Sequence, residues 1–368
     1  VAWTDEFCTM VSTTQIHNFS AGPCILPQSV MIEAAEAVRE LDGSGLSLIE
    51  ISHRSPAFVA IMEEAQANVR KLLNVPDRFE VLFLQGGASL GFLTTASNFM
   101  STNGSLDYAI TGTWSKKAFA EAKHVGPVHK ITDGSELGFR SIPALPASSS
   151  ADAVHITTNN TIFGTQYATD PATDKPLIGD MSSDIFSRSI DFDKYACVYA
   201  GAQKNMGPAG TVMYIFDPSL VAENESPLPS YLDLKLHASK DSMFNTPPVF
   251  AVYTSMLNLR WMLKNGGLEA VEQRNRAKAQ TMYAEIDRNA LFTGFAETDS
   301  RSVMNATFTA VDAAVEPAFK KMCAEACING VNGHKSVGGY RASMYNALPL
   351  SSVEALVDVM RELERTHG

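Results

Sequence analysis

Two spacings of apolar residues run along this chain. After Pro56, the residues Phe58, Ile61, Met62, Ala65, Val69 and Leu72 recur every three or four positions. That is one face of a helix, and proline suits its first turn. Pro27 predicts a similar helix that runs to about Leu41. Short apolar runs near 80–84, 107–111, 128–131, 153–157, 177–180, 196–200 and 211–216 predict buried strands, too short for helices. Helical segments separate several of these runs. That alternation implies a mostly parallel sheet covered on both faces. Long helices are expected near 247–265 and 267–290. A final helix carries an apolar stripe at Val353, Leu356, Val357, Met360 and Leu363, with Ser351 and Glu354 at capping-box spacing. The expected fold is α/β: a large domain over 16–265 with a mostly parallel seven-stranded sheet flanked by helices, and a smaller α+β domain over 266–368. The large domain's first residues are candidates to pack on the small one. Residues 1–15 lack periodicity and read as an N-terminal extension, open to being disordered, with Met10 a candidate natural start.

Composition narrows the function classes. The 368 residues suffice for two domains, and a net charge of −11 argues against nucleic acid as a partner. No stretch approaches the roughly 20 apolar residues of a membrane span. Five cysteines without regular spacing suggest reduced thiols and a cytoplasmic setting. Cys323 and Cys327, one helical turn apart, lack further ligands at metal spacing and read as helix packing residues, so no metal is expected.

The chemistry gathers at strand ends. Lys204 follows the run Ala196–Ala200 and precedes a glycine-rich turn. Such a lysine can snorkel to water. Held in a cleft, it can instead lose its proton and become a nucleophilic amine. Asp180 ends another strand 24 residues upstream, a spacing that brings neighbouring strand ends together. Alone it would be a cap or turn residue. The pair is what a pyridoxal phosphate site requires: a lysine for the aldehyde and an acid to keep the pyridine nitrogen protonated. Gln85-Gly86-Gly87-Ala88-Ser89 runs from a strand into a helix expected over Ser89–Met100, whose free N–H groups can hold a phosphate. All three segments follow strands, where ligands gather in open α/β sheets.

Eight segments in order now carry a resemblance over residues 16–368. They are His17–Pro23, Glu50–Arg54, Gln85–Ser89, Asn159–Thr161, Gly179–Ser183, the Lys204 motif, Met243–Pro248 and Gly338–Ser343. The chain resembles the phosphoserine aminotransferases, fold-type I pyridoxal phosphate enzymes of the class-V aminotransferase group. The resemblance implies a ping-pong transamination between L-glutamate and 3-phosphohydroxypyruvate, giving O-phospho-L-serine and 2-oxoglutarate in serine biosynthesis. Some bacterial members also take 4-phosphohydroxythreonine, in pyridoxine biosynthesis.

The resemblance also implies roles. Lys204 would bond the cofactor and then move the substrate's proton, and Asp180 would pair with the pyridinium. Trp114 would stack on the ring and Thr161 would hydrogen-bond its 3′ oxygen. Ala88, Ser89 and Gln203 would hold the phosphate, joined by Asn245 and Thr246 from the other subunit of a homodimer. Arg341 would grip the α-carboxylate. His53 and Arg54, with His334 and Lys335, would meet the distal phosphate or carboxylate. Lysine stands at 335 where the family usually has arginine, keeping the charge and losing the bidentate fork.

Two other readings compete with this one. A related enzyme such as a cysteine desulfurase would need a mobile nucleophilic cysteine, and Cys197, Cys323 and Cys327 are expected on a buried strand and a helix. An alanine–glyoxylate aminotransferase would share the fold and cofactor. A non-catalytic scaffold would have no need of Lys204 and Asp180.

Overall fold

The computed structural model describes residues 15–368. The expected extension over 1–15 therefore lies outside the described residues except at its last position. Seven strands form the central sheet: β1 (Glu80–Gln85), β2 (Leu106–Ile110), β3 (Val128–Asp133), β4 (Ala153–Thr157), β5 (Leu177–Asp180), β6 (Tyr195–Gly201) and β7 (Thr211–Phe216). Their order is β1-β7-β6-β5-β4-β2-β3, and only β7 runs against its neighbours. Strands β4, β5, β6 and β7 are buried along their whole length. This is why they appear in the sequence as unbroken apolar runs.

Helices α1 (Gln28–Arg39), α2 (Pro56–Leu73), α3 (Ala88–Phe99), α4 (Thr113–Ala122), the short α5 (Leu234–Ala238), α6 (Val249–Lys264) and α7 (Gly267–Arg288) follow in chain order. In α2, Ser55 caps the Phe58 N–H, Pro56 opens the first turn and Asn74 closes the helix with left-handed φ of 52°. All six apolar stripe positions named from the sequence are buried, a gain of about 1.5–3 kcal/mol for each large side chain.

The C-terminal part builds a three-stranded antiparallel sheet from β8 (Phe292–Gly294), β9 (Asn305–Ala310) and β10 (Tyr340–Ser343). Helices α8 (Glu316–Glu325) and α9 (Leu350–His367) cover it. His17–Asn18 pairs in parallel with Ile328–Asn329, and Phe19 is buried in this C-terminal core.

Two sequence expectations fail locally. The capping box does not form: α9 starts at Leu350 behind Pro349, with no side-chain cap. Ser352 instead meets His17 Nδ1 at 2.9 Å. Cys327 lies past the end of α8 in a left-handed conformation, so only Cys323 packs within that helix.

Candidate active site

The carboxyl edge of the sheet collects the chemistry-bearing residues. Asp180 is the last residue of β5, opposite Tyr199 of β6 in register. Lys204 stands three residues beyond the end of β6. Both are buried, at 4% and 8% exposure. Ser182 ties the two strand ends together. Its hydroxyl donates to Asp180 Oδ1 at 2.6 Å and accepts the Gly201 N–H at 3.0 Å, and its own N–H donates to the same carboxylate oxygen at 3.0 Å. Asp180 is thus held through one oxygen. Among the described residues, no group donates to the other.

Lys204 Nζ donates to Thr161 Oγ1 at 2.7 Å and lies 5.4 Å from the centre of the Trp114 ring. Burial lowers its pKa to about 8; the Arg341 charge acts the same way, while Asp180 opposes both. At neutral pH about a tenth of the amine is therefore uncharged. Burial likewise raises Asp180, against the hydrogen bonds from Ser182.

Arg341 comes from β10 of the other sheet. Its Nη1 donates to the Thr161 carbonyl at 3.2 Å, and its Nε is buried without a partner. The Trp114 indole N–H, near the start of α4, is also buried and unpaired. A buried donor left unpaired costs about 1–3 kcal/mol, so both groups mark places where an acceptor belongs. At the start of α3, Gly87 offers no side-chain cap, which leaves the first N–H groups, those of Ala88 and Ser89 among them, open to an anion. A Cβ on Gly201 would come within 2.8 Å of Gln203 Oε1 and 3.2 Å of the Ala88 nitrogen, so Gln203 and the start of α3 meet across this glycine.

The remaining expected residues lie farther out. His334 is half-buried and Lys335 exposed, in the loop before β10. Asn245 and Thr246 follow α5, where the Thr246 carbonyl accepts from Gln85 Nε2 at 2.6 Å. His53 and Arg54 precede α2, and the His53 Nε2 atom is buried and unpaired. Among the described residues, no hydrogen bond or ion pair joins His53, Arg54, Asn245 or Thr246 to Lys204, Asp180 or Arg341.

Sequence reasoning missed several supports. The Cys24 thiol contacts the Lys204 carbonyl oxygen, and burial pushes its pKa up to about 12. Asn205 Oδ1 accepts the Asn346 N–H at 3.1 Å, binding the residue after the lysine to the C-terminal part. The Tyr345 hydroxyl donates to the Ala21 carbonyl at 2.8 Å. Only the adjacency of Asn205 to Lys204 was visible beforehand.

The fold and this edge define a class. The aminotransferase class-V family model matches residues 16–356, and the chain belongs to that family. The phosphoserine aminotransferase of Flavobacterium psychrophilum is 52% identical over 352 residues, covering 95% of this chain and 98% of the relative. Among solved structures, phosphoserine aminotransferase from Bacillus circulans subsp. alkalophilus superposes with a TM-score of 0.92 at 40% identity, covering 96% of this chain and 99% of that one. A pyridoxal phosphate-bound phosphoserine aminotransferase from Trichomonas vaginalis gives 0.87 at 35% identity, covering 94% and 100%. The site fits that cofactor. It has a depressed lysine, a carboxylate with one open oxygen, an unpaired indole N–H and an uncapped helix start.

Proposed function

We infer that this chain is a phosphoserine aminotransferase, a pyridoxal phosphate enzyme that moves an amino group between L-glutamate and 3-phosphohydroxypyruvate. The products are 2-oxoglutarate and O-phospho-L-serine, in serine biosynthesis. The observation that carries the reading is the buried Lys204, Thr161 and Asp180 beside the unpaired Trp114 indole N–H and Arg341 Nε.

Bound there, pyridoxal phosphate supplies an aldehyde and an electron-withdrawing ring. Lys204 is the attachment point and the base that moves the proton at the substrate's Cα. Asp180, oriented by Ser182, keeps its open oxygen for the ring nitrogen. Thr161 positions the amine and offers its hydroxyl to the ring's 3′ oxygen. Trp114, whose ring lies beside Lys204 Nζ, would line the face of that ring. Ala88, Ser89 and Gln203 hold the phosphate at the start of α3. Arg341 receives the α-carboxylate on its guanidinium, a planar fork suited to that shape.

The reading extends to assembly and setting. The working unit is a homodimer in which a second copy supplies His53, Arg54, Asn245 and Thr246. Supporting this, Met31, Ile32, Leu46 and Ile49, in the stretch of chain that precedes His53, are exposed apolar side chains. The chain divides into a large unit over 16–265 and a small one over 266–368; the clusters of buried apolar residues follow this division except that Phe19 joins the small unit's core and Val271 the large unit's. Among the described residues no helix is long and apolar enough to cross a membrane. The free thiols of Cys24, Cys197, Cys323 and Cys327 support a cytoplasmic setting.

The test is a single-turnover spectrum of the holoenzyme mixed separately with O-phospho-L-serine, L-alanine and L-cysteine. Fast loss of the bound cofactor's visible absorption with O-phospho-L-serine alone is expected. Equal or faster reaction with L-alanine, or sulfide release from L-cysteine, would overturn the substrate assignment. The desulfurase outcome is disfavoured by Cys24, whose half-buried, high-pKa thiol is held against the Lys204 backbone.

A further inference from the structure

Helix α4 carries a cation that no motif singled out. Lys117 lies one turn beyond Trp114, which places the two side chains on one face of the helix. Its Nζ stands 4.7 Å from the centre of the Trp114 ring, the ring that Lys204 Nζ approaches at 5.4 Å. Arg341 reaches the same place through Thr161, the residue that also holds Lys204 Nζ, and His334 and Lys335 stand in the loop that leads into its strand. The His334 imidazole is held below its usual pKa by burial, then by the charges of Arg341, Lys335 and Lys117. Among the described residues, no carboxylate lies within ion-pair distance of any of these four groups. In a chain with 40 acidic residues against 29 basic ones, a cluster of cations without an acid is a place prepared for an anion.

We propose that Lys117 is a specificity-determining residue of the site's mouth, its ammonium reading the additional negative charge of a phosphorylated substrate. The proposal rests on the transamination read above. Both amino donors carry an α-carboxylate, and they differ at the far end. A phosphate monoester bears about −1.5 to −2 charges at neutral pH and a carboxylate −1. A point cation outside hydrogen-bond geometry acts by Coulomb attraction, which scales with the charge it faces. Lys117 therefore contributes up to twice the binding energy to the phosphorylated substrate, and its loss acts on the two donors as a fold-change and its square. With lysine at 335 in place of a bidentate arginine, this second point charge carries more of the discrimination.

The experiment replaces Lys117 by Gln in the holoenzyme and follows each half-reaction by the cofactor's absorption, with O-phospho-L-serine or L-glutamate as sole donor. Half-saturation should rise about tenfold for O-phospho-L-serine and about threefold for L-glutamate, with the limiting rate of each unchanged. Lys117→Arg should restore both. Lys116→Gln removes the same charge from the neighbouring exposed position, whose Nζ lies over Phe139 instead, and should alter neither. Equal losses for the two donors, a changed limiting rate alone, or a matching effect of Lys116→Gln would overturn the proposal. Unsubstituted enzyme that ignores O-phospho-L-serine but reacts with another donor would overturn the reaction assignment first and this proposal with it. That outcome is read before any variant is made.

Discussion

The floor of the site and its mouth are built by opposite rules. At the floor, Asp180, Ser182, Thr161 and Lys204 are buried, and hydrogen bonds between strand ends hold each of them. At the mouth, Lys117 and Lys335 are exposed, and they stand with His334 and Arg341 without acidic partners among the described residues. The floor would face one cofactor, whose ring and phosphate are the same chemical groups in both halves of the reaction, so preorganised partners can serve both. The mouth must accept a carboxylate in one half and a phosphate in the other. Exposed point charges serve both, because they need no fixed angle.

The hardest test of this contrast is Lys204→Ala. Because the floor works as a unit around one amine, turnover should fall by about 10⁴-fold or more. The fold should survive, since the methylene chain is a small part of a large core. Steady-state rates and far-ultraviolet circular dichroism check the two halves of the statement. Turnover near the unsubstituted rate would mean that the floor is not where the proton moves.

The floor was also the legible half. Its strands are continuous apolar runs because both faces are covered, and Asp180 and Lys204 stand where such runs stop. Helix α2 was readable down to its stripe because one face meets the core. What stayed hidden depends on contacts distant in sequence. Arg341 reaches Thr161 across 180 residues, and Asn346 reaches Asn205 across 141. The capping box failed for a related reason: α9 begins two residues before the start that a Ser351 cap would set, so Ser351 falls inside the first turn, while the neighbouring Ser352 meets His17 335 residues away. Lys117 escaped notice because an exposed lysine on a helix resembles any solvated charge until Trp114 is seen beside it.

A second test couples the two regions through pH. Only the uncharged amine captures the cofactor's aldehyde, so uptake of pyridoxal phosphate by apoenzyme should speed up with pH. The climb should be about tenfold per pH unit, ending near the Lys204 value of about 8. An ordinary lysine would carry that rise past pH 10. Stopped-flow absorption over pH 6–10 measures the break. Arg341 is among the causes that lower this pKa, so Arg341→Gln should move the break upward. A break that stays put would mean that the mouth does not act on the floor electrostatically.

The smallest effect is expected at position 335. Lys335 is exposed in the loop before β10 and presents a point charge where the resemblance led us to expect a fork. Lys335→Arg keeps the charge and adds bidentate geometry. The KM for O-phospho-L-serine should drop about two- to fivefold, because an arginine–phosphate pair places two parallel hydrogen bonds where lysine places one. The KM for L-glutamate should drop less. Its distal carboxylate can accept the same fork but carries less charge and meets the same desolvation cost. Stability should stay within about 0.5 kcal/mol, as for most exposed substitutions. Steady-state kinetics in both directions, at two ionic strengths, separates geometry from charge. A gain from the fork should survive added salt better than the Lys117 contribution, which is a long-range attraction screened over about 8–10 Å. If Lys335→Arg leaves both KM values unchanged, the side chain at 335 does not reach the substrate, and the mouth is built by Lys117, His334 and Arg341 alone.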